Sequence, residues 1–300
     1  MAGVISKAPG QIILCPNAES DVGYAMTLAV KEMLEKRGIE TIVCPVFEDG
    51  SAGAAPRDIV VSKLEDCISS SDMVITFGGD GTILRAARAA AEPGVPILGV
   101  NMGGKGFMAE LEVGDIELLD AALSGSYSIE HRMMLDVAVT RNEKTLISDF
   151  ALNDVVIRGD NKVIDLTLYG DGQRITGFSG DGAVIATPTG STAYSMSAGG
   201  PIVEPSAHNI ILTPICAHVI EAKSFVLAPE RNVSVEIGRR KHNPAYISVD
   251  GGDHVGVRET DSISIRKSGR STKLVRLSER SFYQTVYEKL GALDKTPTII

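Results

Sequence analysis

The apolar run Met73-Val74-Ile75-Thr76-Phe77 ends in Gly78-Gly-Asp-Gly-Thr82, and the helical stretch Ile83–Ala91 follows at once. A strand with apolar residues on both faces, broken only by Thr76, is covered on both faces, so its natural setting is a parallel sheet between helical layers. The glycine turn then lies at the carboxyl end of the strand, where such sheets bind ligands. Its amides and the helix dipole favour a phosphate. A carboxylate in that turn repels a phosphate unless it carries a metal or takes up a proton. Asp80 therefore needs a chemical reason to be there.

The rest of the first half repeats the pattern. Gln11–Cys15, Glu40–Val46 and Val95–Val100 read as strands, and Thr82–Ala91 as a helix. Ala25–Arg37 carries a helical apolar stripe (Met26, Ala29, Val30, Met33, Leu34) and stops at Gly38. After Gly125 the period changes. Leu135–Arg141, Lys144–Phe150, Asp154–Arg158, Val163–Tyr169 and Ala183–Ala186 are short β-type runs between turn signals, followed by Val233–Ile237, Ala245–Val249, Ser262–Lys267 and Lys273–Leu277. The expected fold is an α/β N-terminal domain with a parallel, Rossmann-like sheet over 1–125 and an antiparallel all-β domain over 126–280. A C-terminal helix and tail, 281–300, carry Phe282, Val286, Tyr287 and Leu290 on one face and are expected to pack back on the first domain. The Gly/Ala/Pro-rich stretch Glu48–Arg57 reads as a mobile loop.

Bulk properties narrow the partners. A net charge of −9 supplies no domain-wide basic field, which argues against nucleic acid. No apolar run approaches the ~20 residues of a membrane span. Met1–Lys7 lacks the long apolar core of a signal peptide, and the four scattered cysteines (Cys15, Cys44, Cys67, Cys216) form no CxxC pair. Cys15 and Cys44 lie in strand-like runs and are expected to be reduced core residues. A cytoplasmic enzyme is the expectation.

Four segments could carry chemistry. Gly78–Thr82 has no Walker lysine, so phosphate charge would be met by amides, by Mg²⁺ or by Arg85, one turn along the helix; Asp80 or Thr82 could otherwise be an ordinary N-cap. Arg88 is read as solvated or structural. A second turn, Asn101-Met-Gly-Gly-Lys-Gly-Phe107, also follows a strand, and Phe107 either stacks on something flat or anchors the core. Gly180–Pro201 crowds Thr187, Thr189, Ser191, Thr192, Tyr194, Ser195 and Ser197 onto one loop behind a strand. Such hydroxyls and small residues suit close wrapping of a base, ribose or phosphate, although a Ser/Thr linker has a similar composition. Asn153-Asp154 offers an amide and a carboxylate at a strand edge, or an Asx turn. The histidines at 131, 208, 218, 242 and 254 have no ligand spacing, and Ser195 and Ser197 lack the partners of a serine hydrolase.

Together these segments resemble the NAD kinases, which phosphorylate the adenosine 2′-hydroxyl of NAD. The resemblance rests on Gly78–Thr82, Asn101-x-Gly-x-x-Gly-Phe107, Asn153-Asp154, Asp181-Gly182 and Thr187-Pro-Thr-Gly-Ser-Thr-Ala-Tyr194 running on to Gly199-Gly-Pro201, in family order over roughly residues 10–280. It implies ATP or polyphosphate as donor, Mg²⁺ or another divalent cation, a homodimer or homotetramer, and the two-domain fold above. It also implies Asp80 as general base, with Gly81 and Arg85 near the dinucleotide's ribose or phosphates. Asn153, Asp154, Asp181 and the run Thr192, Ala193, Tyr194, Ser195, Met196, Ser197 would bind NAD, with Thr189 near the adenine and Phe107 at the nucleotide. A lipid kinase of the diacylglycerol or sphingosine type shares the first turn, and a non-catalytic dinucleotide-binding module is the rival from another class.

The chain also departs from the family pattern. Val249-Asp250-Gly251-Gly252 stands where Asp-Gly-Gln is usual, and His218–Ser224 diverges from His-x-Leu-x-Asn-Arg-Pro. Ser179 stands where NAD-restricted bacterial members tend to carry arginine, which leads to the expectation that NADH is also accepted.

Overall fold

The computed structural model describes residues 9–46, 56, 59–103, 106–218, 222–238, 244–278 and 281–291. The Glu48–Arg57 stretch, apart from Pro56, lies outside the described residues, as do Gly104 and Lys105 of the second glycine turn and His242. The chain divides into two compact units, Met1–His131 with Thr272–Ile300, and Arg132–Ser271.

In the first unit, β1 (Gln11–Pro16), α1 (Ala25–Glu35), β2 (Glu40–Val43), α2 (Leu64–Cys67), β3 (Met73–Gly78), α3 (Asp80–Ala90), β4 (Ile97–Asn101), β5 (Leu111–Glu112) and α4 (Leu119–Leu123) follow in chain order. The strands pair in parallel in the order β2-β1-β3-β4, with β5 added to β4. β3 is buried at every position, as expected of a strand with apolar residues on both faces, and Thr76 is buried with them. The helix after it begins at Asp80, two residues earlier than its apolar pattern suggests, because Gly79 is the N-cap in an extended conformation. α3 buries Thr82, Ile83, Ala86, Ala87 and Ala90. Its alanines allow a close approach to the sheet, and Gly99 on β4 leaves the room that Ile83 occupies: a Cβ there would lie 2.6 Å from Ile83 Cδ1.

The second unit is antiparallel. It contains the greater part of β6 (Ser128–Arg141), then β7 (Lys144–Ala151), β8 (Asp154–Gly159), β9 (Ile164–Gly170), β10 (Gln173–Gly180), β11 (Gly182–Ala186), α5 (Tyr194–Ser197), β12 (Ile210–Ile215), β13 (Phe225–Leu227), β14 (Val233–Ile237), β15 (Ala245–Val249), β16 (Val255–Val257) and the start of β17 (Ser262–Arg276). One sheet has the order β13-β12-β11-β8-β15-β16. The run β10-β9-β14-β17 faces a shared core with it, built from residues such as Leu135, Ile157, Leu166, Ile185, Leu212, Ile247 and Ile265. The expected separate strands Ser262–Lys267 and Lys273–Leu277 are one long strand. Ser268-Gly-Arg-Ser271 reads as a turn by composition, yet Ser268 is buried and its hydroxyl accepts the Arg270 amide at 3.1 Å, so the ladder continues through it.

The end of β17 belongs to the first unit, where Leu274 pairs in parallel with Ile97. Arg276 is the anchor. Its guanidinium donates to Glu130 (2.7 Å), to Glu110 (3.2 Å) and to the Met108 carbonyl (3.0 Å), while Glu110 accepts the Leu277 and Ser278 amides, each at 2.9 Å. The last helix, α6 (Phe282–Gly291), lies in the same unit, with Lys289 paired to Glu112 at 3.0 Å. Its expected apolar face is smaller than the sequence suggests: Phe282, Val286 and Leu290 are half-buried, but Tyr287 is exposed.

Removing the Glu110 carboxylate should leave Arg276 under-compensated and the Leu277 and Ser278 amides without this acceptor. Glu110→Ala is expected to cost about 3–5 kcal/mol of stability, read by urea unfolding; a loss below 1 kcal/mol would show the anchor to be dispensable.

Candidate active site

The parallel pairing of Gly78 with Asn101 sets the two glycine turns side by side at the carboxyl ends of β3 and β4. The Met102 amide donates to the Gly78 carbonyl at 3.0 Å, closing the join. From the first turn of α3, the half-buried Asp80 carboxylate reaches across and accepts the Phe107 amide at 2.8 Å and the Met108 amide at 3.1 Å. It is therefore not the cap of its own helix. A Cβ at Gly106 would lie 2.8 Å from Asp80 Oδ1, so a residue without a side chain is needed under the carboxylate. Gly78 is equally constrained, since a Cβ would fall 2.1 Å from Thr82 Oγ1. The sequence reading missed Arg276, which holds the Met108 carbonyl while Asp80 holds the Met108 amide. Nothing local to Arg276 in the sequence signals this.

Arg85 and Arg88 line a different part of the first unit. Together with Lys63, Glu65, Pro45, Val46 and Leu64 they border a cavity of about 290 Å³. Both arginines project from the solvent side of α3, as does Gly81. Phe107 is half-buried and offers its backbone to Asp80.

In the second unit a carboxylate again gathers backbone amides. Asp250, in the left-handed conformation (φ 48°), accepts the Leu152, Asn153 and Asp154 amides at 2.7, 2.8 and 3.0 Å. Asp-Gly-Gly after a strand is the sequence signal that could have identified it. The carboxyl of Asp154 is buried beside Asp250, and desolvation first, then the Asp250 charge, push it up to about 7. Asn153 is also buried, and its side-chain oxygen has no hydrogen-bond partner. Such an acceptor is costly unless something bonds to it.

The loop 187–200 packs directly on this corner. A Cβ at Gly190 would lie 2.1 Å from the Asn153 carbonyl oxygen. Several of the crowded hydroxyls hold the loop itself. Thr187 donates to the Leu152 carbonyl (2.6 Å) and accepts the Gly190 amide (3.1 Å), Ser191 donates to the Pro188 carbonyl (2.6 Å), and Ser195 pairs with Thr213 (2.9 Å). Thr192 donates to the Thr189 carbonyl (3.1 Å), Thr189 accepts from Arg132 (3.3 Å), and the Tyr194 hydroxyl accepts from Arg158 (3.2 Å). Ala193 and Met196 are half-buried, whereas Ser197 is exposed. Asp181 donates its amide to the Ile215 carbonyl at 3.0 Å. Ser179 is hydrogen-bonded to Asp165. Among the described residues no group of three or more His, Cys, Asp or Glu is arranged to hold a metal, and no helix is long and apolar enough to cross a membrane.

Comparison with known proteins covers nearly the whole chain. The ATP-NAD kinase N-terminal domain matches residues 15–127, and the ATP-NAD kinase C-terminal domain matches residues 152–277. The NAD kinase of Ruminiclostridium cellulolyticum is 34% identical over 277 residues, 91% of this chain and 95% of its own. The NAD kinase of Natranaerobius thermophilus is 36% identical over 282 residues, 92% and 96% of the two chains. Among solved structures, a yeast NADH kinase complexed with NADH superposes with a TM-score of 0.81 at 22% identity, covering 98% of this chain and 91% of that one. An NAD kinase from Archaeoglobus fulgidus in complex with ATP gives 0.70 at 24% identity, covering 93% and 98%. These two structures share the fold.

Between the ordinary carboxylate range near 4 and about 7, folded Asp154 keeps a proton that the unfolded chain has lost. Stability should thus fall as pH rises through that window, and the loss should be complete above it. Asp154→Asn is expected to flatten the profile, gaining on the order of a few kcal/mol relative to the parent between pH 5 and pH 8. Denaturant titrations at both pH values measure it, and parallel profiles would contradict it.

Proposed function

We propose, for a chain that belongs to the ATP-NAD kinase family and transfers the ATP γ-phosphate to the adenosine ribose 2′-hydroxyl of NAD, that Asp80 accepts the proton of that hydroxyl. The bond formed joins the ribose 2′-oxygen to phosphorus, the bond broken is the one to the β-phosphate oxygen, ADP leaves, and NADP is the product. The observation that carries this assignment is the Asp80 carboxylate just past the carboxyl end of β3, with one oxygen accepting the Phe107 amide and the other the Met108 amide. A carboxylate is a weak base. A weak base is adequate here. The transition state of phosphoryl transfer is loose, so the attacking hydroxyl gives up its proton late, and most acceleration comes from positioning and charge neutralisation.

In the first unit the nucleotide contacts would be Gly81, Arg85 and Phe107; in the second unit, taken by itself, the NAD contacts would be Asn153, Asp154, Asp181, Thr189 and the stretch Thr192–Ser197. The unpartnered Asn153 oxygen and the protonatable Asp154 suit ribose or base donors. Ser195 is committed to Thr213, so residues such as Ala193, Ser195 and Met196 would contribute backbone and shape, leaving polar contacts to Thr192, Tyr194 and Ser197. A divalent cation fits a donor set of one carboxylate plus substrate phosphates, the usual arrangement for Mg²⁺. Asp80 is the carboxylate placed to share it, and bound there it would neutralise phosphate charge. A homodimer or homotetramer in the cytoplasm remains the proposed setting. The lipid-kinase and non-catalytic readings find no support among the relatives.

Incubation with ATP, Mg²⁺ and NAD, with NADP detected by an NADP-specific dehydrogenase, tests the reaction. Asp80→Asn is expected to lower kcat by about 10²–10⁴ while KM for NAD changes only a few-fold. Near-parental kcat would remove the base role. With Ser179 in place of a cation, NADH should be turned over as well; steady-state rates on both dinucleotides decide this, and zero rate on NADH ends the idea.

A further inference from the structure

Three of the four cysteines converge in the first unit. The parallel register sets Leu14 against Val43, so Cys15 and Cys44 are the next neighbours across the pair, and the Cys44 amide donates to the Leu14 carbonyl at 2.9 Å. A parallel bridge between Val43 and Val61, with the Ser62 amide on the Val43 carbonyl at 3.0 Å, leads the chain into α2, whose last residue is Cys67. There the Cys44 thiol comes within hydrogen-bonding reach of the Cys67 thiol, and Glu65 lies within electrostatic reach of both Cys44 and Cys15. Cys15 and Cys44 are wholly buried, while Cys67 is partly exposed.

We propose that Cys44 and Cys67 are a redox-active dithiol that closes to a disulfide when the protein meets a peroxide, with Cys67 oxidised first. Exposure selects Cys67 for the first step. Its thiolate attacks one peroxide oxygen and displaces hydroxide, giving a sulfenic acid. The Cys44 sulfur then attacks the Cys67 sulfur, losing its proton as the sulfenic oxygen departs as water. The sum is two thiols and one hydrogen peroxide giving one disulfide and two waters. Burial, then the neighbouring Cys67, pushes the Cys44 thiol up to about 12. It is therefore a poor first nucleophile, and its attack waits for the more electrophilic sulfenic sulfur of Cys67. Closure brings the two sulfurs from hydrogen-bonding reach to about 2.05 Å. Cys15 shares the cluster but sits in β1 between β2 and β3, held by ladders on both sides and sealed from solvent.

The full-length protein is treated with hydrogen peroxide, then alkylated in denaturant and mapped without reduction. Accessible thiols should fall from four to two, the map should join Cys44 to Cys67, and dithiothreitol should restore all four. Cys216→Ser should keep the link, which excludes the exposed cysteine as the source of the loss. Cys67→Ser should abolish the link and leave Cys44 alkylatable. Three results would overturn the assignment, and each is readable in the unmodified protein should a variant misfold. They are a Cys15–Cys67 link, a Cys67 sulfinic acid beside an intact Cys44 thiol, or oxidation confined to Cys216.

Discussion

The bond pattern around the Asp80 carboxylate depends on a register. Because Gly78 lies opposite Asn101, two separate β–α turns emerge at the same level of the sheet. Asp80 then has two amides from the second turn within reach, and Gly106 leaves the space they need. The anion that would repel phosphates in isolation is compensated by the protein's own dipoles. Its position is correspondingly defined by main chain on both sides, which is more rigid than a carboxylate on a flexible side chain alone.

The same device recurs in the second unit with different consequences. Asp250 collects three amides at the Leu152–Asp154 corner. That fixes one carboxylate as the charged member of a close pair and leaves the other, Asp154, to hold a proton. Two carboxyl groups with separated titration are a common way for one site to offer both an acceptor and a donor. The loop over this corner is tied down by its own hydroxyls, with Thr187 and Ser191 acting as internal rivets. Its small residues matter mainly because backbone must approach backbone, as at Gly190.

Features carried by local period or local turn chemistry were legible in the sequence. The β3–α3 unit, the parallel sheet and the antiparallel second half all follow from runs of six to a dozen residues. What was not legible depended on contacts distant in sequence. Arg276 meets Met108 across 168 positions, and Asp250 meets Leu152 across 98. Composition also misled where an element's polarity resembled a turn, as at Ser268–Ser271. The hydroxyl-rich loop shows a third kind of limit, because sequence reveals how many donors are present but not which of them the fold consumes.

Asp154 has a thermodynamic corollary. With its carboxyl pushed up to about 7, protonated and ionised forms coexist at neutral pH. A ligand that hydrogen-bonds to it will favour one form and must take up or release a fraction of a proton as it binds. The binding enthalpy will then vary with the ionisation heat of the buffer, and its slope will count the protons moved.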